Sequence, residues 1–162
     1  MPSDAPLTLR PATPDDVDLL LDLIKDLAIY EKEPESAKAT PELLHAGLFG
    51  DSPTAEAVVA EWAGEPAGFA LFFHNFSTWT GKPGLYLEDL FVREEMRGKG
   101  IGKALLLELA RKARERGCGR MEWSVLDWNR PAIEFYESLG AKPQSGWTVY
   151  RLDQAALERV AG

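Results

Sequence analysis

Apolar positions recur with period two in some stretches of the chain and with period three to four in others, and the switches between them delimit the elements. Leu7-Thr8-Leu9-Arg10 alternates as a short strand does. Thr13-Pro14-Asp15-Asp16 has the form of a helix start, with Thr as N-cap, Pro at the first helical position and acid in the first turn. Leu19, Leu20, Leu23, Ile24, Leu27 and Ala28 then form a buried stripe that fades near Tyr30-Glu31, and Pro34 cannot continue it. Thr40-Pro41-Glu42 opens a shorter helix ending near Gly47–Gly50. Ala55–Trp62 and Ala67–Phe76 are predicted strands, joined as a hairpin at Gly64-Glu65-Pro66. A loop holding Trp79, Gly81, Pro83 and Gly84 leads to a strand over Leu85–Val92. After a glycine-rich turn, Ile101, Leu105, Leu109 and Ala113 mark a helix that stops at Gly117. Arg120–Leu126 is a predicted strand, Pro131–Leu139 a helix closed by Gly140, Trp147–Leu152 a last strand and Gln154–Val160 a final helix. Without repeats or linkers, one α/β domain over residues 1–162 is the expected organisation.

Composition narrows the functional classes. The chain has 162 residues, 45% apolar and 27% charged, with a net charge of −8. An acidic chain is not expected to bind nucleic acid or anionic membrane. No apolar run approaches the ~20 residues of a membrane span, and the N-terminus lacks the basic and apolar regions of a signal peptide, so a cytoplasmic location is expected. One cysteine, Cys118, and two histidines, His45 and His74, argue against a disulfide, a metal site or a catalytic triad. The charge is uneven. Residues 1–80 hold 14 acidic and 4 basic side chains, whereas residues 93–120 hold nine basic and four acidic. Solvated helix faces account for part of this: Asp15, Asp18, Asp22 and Asp26 share one face of the first helix.

Arg97-Gly98-Lys99-Gly100-Ile101-Gly102-Lys103 lies between a predicted strand and a predicted helix. Glycines there let a ligand approach the backbone, and the helix-start N–H groups, with Arg97, Lys99 and Lys103, favour an anion such as pyrophosphate. The spacing does not supply the P-loop pattern, and the third glycine comes one position early for a dinucleotide fingerprint. Arg97, Gly100 and Gly102 do satisfy R-x-x-G-x-G. A plain tight turn into a helix is the competing reading.

That pattern resembles the pyrophosphate loop of the GNAT acyl-CoA-dependent N-acetyltransferases, and the element order is similar to theirs over nearly the whole chain. Leu27–Lys32, Phe76–Gly81, Tyr86–Val92, Val125–Ala132 and Phe135–Ala141 more narrowly resemble the diamine/polyamine (spermidine/spermine-type) branch and its thialysine-acetylating relatives. The resemblance implies an α/β (α+β) fold built on a mixed, mostly antiparallel sheet of about six to seven strands with a splayed central pair, flanked by helices. It implies acetyl-CoA as co-substrate, a small primary amine as acceptor, no metal, and a homodimer.

Glu88 and Asp89 stand in an otherwise apolar strand, where unpaired burial is costly. Simple alternation puts Tyr86, Glu88, Leu90 and Val92 on one face and Leu87, Asp89 and Phe91 on the other. A structural reading leaves both acids solvated at an edge. The family reading has the strand splay at a bulge, with pantetheine in the gap on backbone groups of Leu90, Phe91 and Val92. Glu88 then attracts the ammonium and serves as base, directly or through water. By the same resemblance Tyr136 gives a proton to the departing thiolate, which suits a phenol of pKa ~10. Asn129 contacts the cofactor arm by resemblance, and as a residue preceding Pro131 it also suits a helix cap.

Tyr30, Glu31 and Trp79, with Glu88 and Asp89, would line the amine site; packing and solvation are the alternatives for the first three. Ser77 and Ser145 stand where the polyamine branch tends to place acids, which points to a short amine with an amino-acid end. The expected activity is direct acetyl transfer in a ternary complex to a diamine, a polyamine or a lysine-like ω-amino acid. Acetylation of protein N-termini or lysines, and a non-catalytic acyl-CoA-binding module, are the competing classes.

Overall fold

Leu20, Leu23 and Leu27 are spaced to fall on one side of a helix, and in the computed structural model, which describes residues 5–162, they are buried in α1, Val17–Tyr30. The opposite face carries Asp18, Asp22 and Asp26 in solvent, as the charge pattern predicts, while Asp15, also exposed, lies just ahead of the helix. A single 3-10 turn, Pro14–Asp16, precedes α1. Asp16 accepts from the Thr13 N–H at 2.7 Å and from the two terminal guanidinium nitrogens of Arg10 at 2.7 and 2.8 Å. This ties the first strand, β1 (Leu7–Pro11), to the helix start. The second helix, α2, is Pro41–Phe49, and Thr40 Oγ1 caps it by accepting from the Leu43 N–H.

Four more strands follow: β2 (Glu56–Trp62), β3 (Glu65–Ser77), β4 (Lys82–Val92) and, after the helix α3 (Ile101–Glu115), β5 (Arg120–Trp123). They form one sheet in the order β1-β2-β3-β4-β5, antiparallel except for the β4–β5 pair. The β2–β3 turn is the two residues Ala63-Gly64, both at positive φ, one residue ahead of the predicted hairpin. Lys82, Pro83 and Gly84 belong to β4 rather than to a loop, so the β3–β4 connection is only the short turn 78–81. One sheet face packs α1 and α2, with Leu20, Leu23, Leu27, Leu48, Val59, Phe69 and Phe91 in one cluster. Gly102 near the start of α3 lies against Leu90 and Val92 on the other face.

The register of β4 overturns the simple alternation. Asp89 is opposite Leu71 and Leu87 is opposite Phe72, so Glu88 is the extra residue of a β-bulge. The bulge shifts the parity of every later side chain. Tyr86 therefore shares a face with Asp89 and Phe91, while Leu87 shares the other with Leu90 and Val92. Among the described residues of its unit, β4 has no partner strand on its β5 side beyond Leu87, because β5 pairs only from Gly84↔Arg120 to Leu87↔Trp123. This is the divergence of the central pair that the resemblance implies, and it ends β5 three residues before the predicted Leu126.

The chain forms two compact units, one ending at Ser124 and the other spanning Val125–Gly162. The second contains α4 (Arg130–Ser138) and α5 (Gln154–Ala161). Asn129 Oδ1 accepts from the Ala132 N–H and caps α4; Asp153 Oδ1 accepts from the Ala156 N–H and caps α5. The predicted strand Trp147–Leu152 is not one: the segment has no regular structure, and Trp147, Val149 and Tyr150 are exposed. Alternation alone does not make a strand; a neighbour must take its N–H and C=O groups, and this unit holds only helices. Among the described residues the sheet accordingly has five strands rather than six to seven.

Candidate active site

The bulged end of β4 gathers most of the predicted residues. Backbone N–H and C=O groups point to opposite sides on successive residues of a strand. The Arg93 N–H donates to Ala67 C=O, which turns the backbone of Phe91 toward β3 as well and leaves Leu90 and Val92 facing the open edge. Val92 C=O is taken by Arg97 Nε at 3.1 Å. Of the three residues expected to bind an extended ligand, Leu90 and Val92 thus direct their backbone groups to the open edge. Phe91 contributes a buried ring instead. Gly68 explains how β3 and β4 pair closely here, since a Cβ on Gly68 would collide with the Phe91 carbonyl.

The predicted anion loop follows directly. Gly98 and Gly100 have φ of +79° and +80°, and a Cβ on either would point into open space. Gly100 occupies the N-cap of α3 in a left-handed conformation with no side-chain cap. The N–H groups of Ile101, Gly102 and Lys103 therefore begin a helix whose first turn lacks internal acceptors. Arg97, Lys99 and Lys103 are exposed around them. This donor set fits a pyrophosphate, and no acid stands in the first turn of α3 to oppose it.

Tyr30 and Glu31, at the C-terminus of α1, lie on the Asp89–Phe91 face of β4. The Tyr30 and Phe91 ring centroids are 6.4 Å apart, and the Arg97 guanidinium carbon sits 4.8 Å from the first and 5.6 Å from the second. This aromatic pair, which already holds a cation, was not legible in the sequence, because Phe91 reads there as core and Arg97 as an anion ligand. Asp89 is half-buried, and among the described residues no hydrogen bond or ion pair reaches its carboxylate. Burial, then the negative charges of Glu88 and Glu31, push its pKa up to about 6. Burial also raises Glu31. Glu88 is exposed at the bulge.

Trp79 is not at the bulged end of β4. It is exposed in the β3–β4 turn, before Lys82, and six steps of ~3.3 Å along the strand lead from Lys82 to Glu88. Ser77 is buried at the end of β3 and its Oγ accepts from the Thr80 N–H of the turn, so its role there is structural. In the second unit, Asn129 is buried and used as a cap, and the partly buried Tyr136 ring packs 5.5 Å from Phe135. No group of His, Cys, Asp or Glu among the described residues could hold a metal ion, and no helix among them is long and apolar enough to cross a membrane.

Comparison with known proteins agrees with this geometry. The profile of the Acetyltransferase (GNAT) family matches residues 20–141. A thialysine N-epsilon-acetyltransferase from Sus scrofa is 37% identical over 98% of this chain and 99% of its own. An L-ornithine N5-acetyltransferase from Arabidopsis thaliana is 38% identical over 98% of this chain and 61% of its own. Among solved structures, an integron cassette protein from the mobile metagenome of V. cholerae superposes with a TM-score of 0.80 at 26% identity, covering 96% of this chain and 98% of that one.

Proposed function

The chain belongs to the GNAT acetyltransferase family and is an N-acetyltransferase, and from that premise we propose that its acceptor is a short primary amine carrying an amino-acid end, of the thialysine, ornithine or lysine type. Enzymes of this family use acetyl-CoA as co-substrate. One observation carries the reading: the bulged end of β4 brings an open strand edge, at Leu90 and Val92, beside three carboxylates and two aromatic rings. The edge suits the amide-bearing arm of the thioester, and the uncapped start of α3 with Arg97, Lys99 and Lys103 suits its pyrophosphate. Glu31, Glu88 and Asp89 suit an ammonium group, with the Tyr30 ring beside it.

On this reading the carboxylates hold the acceptor and take up one proton, leaving an amine that attacks the thioester carbonyl directly. The N–H groups of the open edge polarise that carbonyl. Tyr136 protonates the departing thiolate, and Asn129 supports the cofactor arm; both assignments rest on the resemblance. The assignment of Trp79, in the β3–β4 turn, to the acceptor site rests on the resemblance alone. Diamines and polyamines are weaker acceptors on this account, because Ser77 is neutral and engaged within its turn. A single GNAT domain over 1–162, a homodimer and a cytoplasmic location complete the proposal, and light scattering tests the dimer. The acceptor is tested by thiol release from acetyl-CoA across thialysine, lysine, ornithine, diamines and polyamines. Tyr136→Phe is expected to lower kcat about 100-fold with acetyl-CoA affinity unchanged.

A further inference from the structure

We propose that Arg97 couples the two substrates: its guanidinium covers the Tyr30 ring that receives the acceptor's ammonium group, and acetyl-CoA clears the ring by drawing the guanidinium onto its pyrophosphate. This rests on the acceptor reading above and adds to that site a contact that opposes the amine until the thioester is bound.

One side chain reaches both subsites. Arg97 Nε donates to Val92 C=O at 3.1 Å, and the guanidinium carbon is 4.8 Å from the Tyr30 ring centroid and 5.6 Å from that of Phe91. That nitrogen and that carbon are bonded neighbours, so a single planar group touches the open strand edge and the aromatic pair together. The edge is the proposed seat of the thioester's amide-bearing arm, and the Tyr30 ring is the proposed neighbour of the ammonium. A ring attracts cations through its quadrupole, so Arg97 and an alkyl-ammonium compete for Tyr30.

The contact is of a kind that yields. Arg97 is exposed, and among the described residues its side chain forms no ion pair, although Glu31 follows Tyr30 and Asp89 lies two residues before Phe91. One hydrogen bond and two rings hold the guanidinium, and no carboxylate does. A pyrophosphate offers it charge-assisted, bidentate hydrogen bonds, which are stronger. The chain brings the two close, because Arg97 directly precedes Gly98 and the α3 N–H groups begin at Ile101. An arm lying along Leu90–Val92 also fills the gap that the Nε contact crosses. Both parts of the cofactor therefore act against the contact from one side, and the ammonium acts against it from the other. Two ligands that each bind better once the guanidinium has moved favour one another, by the same factor in each direction. Lys99 provides the contrast. It belongs to the same loop, but its Nζ lies 5.2 Å from the Trp62 ring centroid and not over Tyr30.

The test measures, by calorimetry, the affinity of the best amine with and without saturating desulfo-CoA, and of desulfo-CoA with and without the amine. Desulfo-CoA has the arm and the pyrophosphate but no thiol. The wild type, Arg97→Met and Lys99→Met are compared, with thermal melting as the folding control. The wild type should bind the amine at least about tenfold more tightly when desulfo-CoA is present, with the same factor for desulfo-CoA when the amine is present. Arg97→Met should bind the amine alone at least about fivefold more tightly than the wild type, bind desulfo-CoA more weakly, and show a coupling below about twofold. Lys99→Met should also bind desulfo-CoA more weakly, but keep the wild-type affinity for the amine alone and the wild-type coupling. In the wild type, the NMR resonance of the Arg97 Nε–H should be displaced by the Tyr30 and Phe91 ring currents and return toward its ordinary position when desulfo-CoA is added. A wild type without coupling, an Arg97→Met variant that binds the amine alone no better, or an Nε–H resonance that ignores desulfo-CoA overturns the proposal. Thiol release from acetyl-CoA, measured in parallel, separates this from the acceptor reading. Release from the wild type with the coupling intact in Arg97→Met refutes the role of Arg97 alone, whereas no release with any amine removes the acceptor reading and this inference with it.

Discussion

Two aspartates in this chain have pKa values displaced in opposite directions, and their displacements predict opposite effects on stability. Asp16 is buried against Arg10, which also pairs with Glu61 at 2.7 Å. The Arg10 hydrogen bonds outweigh burial and hold its pKa down to about 2. A carboxyl lowered on folding stabilises the protein above its ordinary pKa, and that contribution disappears as pH falls from about 4 through 2. Asp16→Asn should therefore cost about 1.5–3 kcal/mol at pH 7 in urea unfolding, with the difference shrinking below about pH 3. Asp89 is raised to about 6, so its ionised form opposes folding at neutral pH and the penalty is relieved as pH falls from about 6 toward 4. Asp89→Asn should stabilise the fold at pH 7.5 by on the order of 1–2 kcal/mol and match the wild type near pH 4. A destabilised Asp89→Asn at pH 7.5 would contradict the picture of an unpartnered acid.

At the scale of elements, the turns and the bulge decide where the chemistry sits. Gly98 and Gly100 hold left-handed conformations that an L-residue enters at a cost of about 1–2 kcal/mol. Gly100→Ala should misdirect the first N–H groups of α3 and weaken acetyl-CoA binding at least about tenfold by calorimetry, while the melting temperature falls only a few degrees. Ala63 carries the same strain in the β2–β3 turn, where Asn-Gly is the favoured pair. Ala63→Asn should stabilise the protein by about 0.5–1 kcal/mol without touching activity. The stripes of α1 and α3, the hairpin of β2 and β3 and the glycine loop were legible because each depends on local periodicity or backbone freedom. The resemblance implied a bulge in β4, but its place was not legible, because nothing in Leu87-Glu88-Asp89-Leu90 marks the extra residue; the opposing strand sets it through Leu71 and Phe72. Trp147–Leu152 failed for the complementary reason, having the pattern of a strand and no strand to pair with in its unit.

For the whole molecule, the acidic and basic halves of the sequence correspond to different tasks. Most acid before residue 80 lies on solvated surface such as the outer face of α1, and only Glu31 from that stretch joins Glu88 and Asp89 at the bulge. The basic stretch from Arg93 to Arg120 begins at the α3 start, where an anion would meet Arg97, Lys99 and Lys103. The same stretch also contains purely structural cations: Arg116 near the end of α3 pairs with both oxygens of Glu56 at 2.7 and 3.0 Å. Net charge therefore marks the halves but not the site, which the β4 register and the α3 loop define. The most direct test of the central claim is acceptor-dependent release of thiol from acetyl-CoA by the purified protein, run with and without each amine. The account predicts release that depends on amine, with thialysine, ornithine and lysine analogues giving higher kcat/KM than spermidine or spermine. Tight acetyl-CoA binding with no amine-dependent release, or release driven only by peptides or proteins, would contradict it.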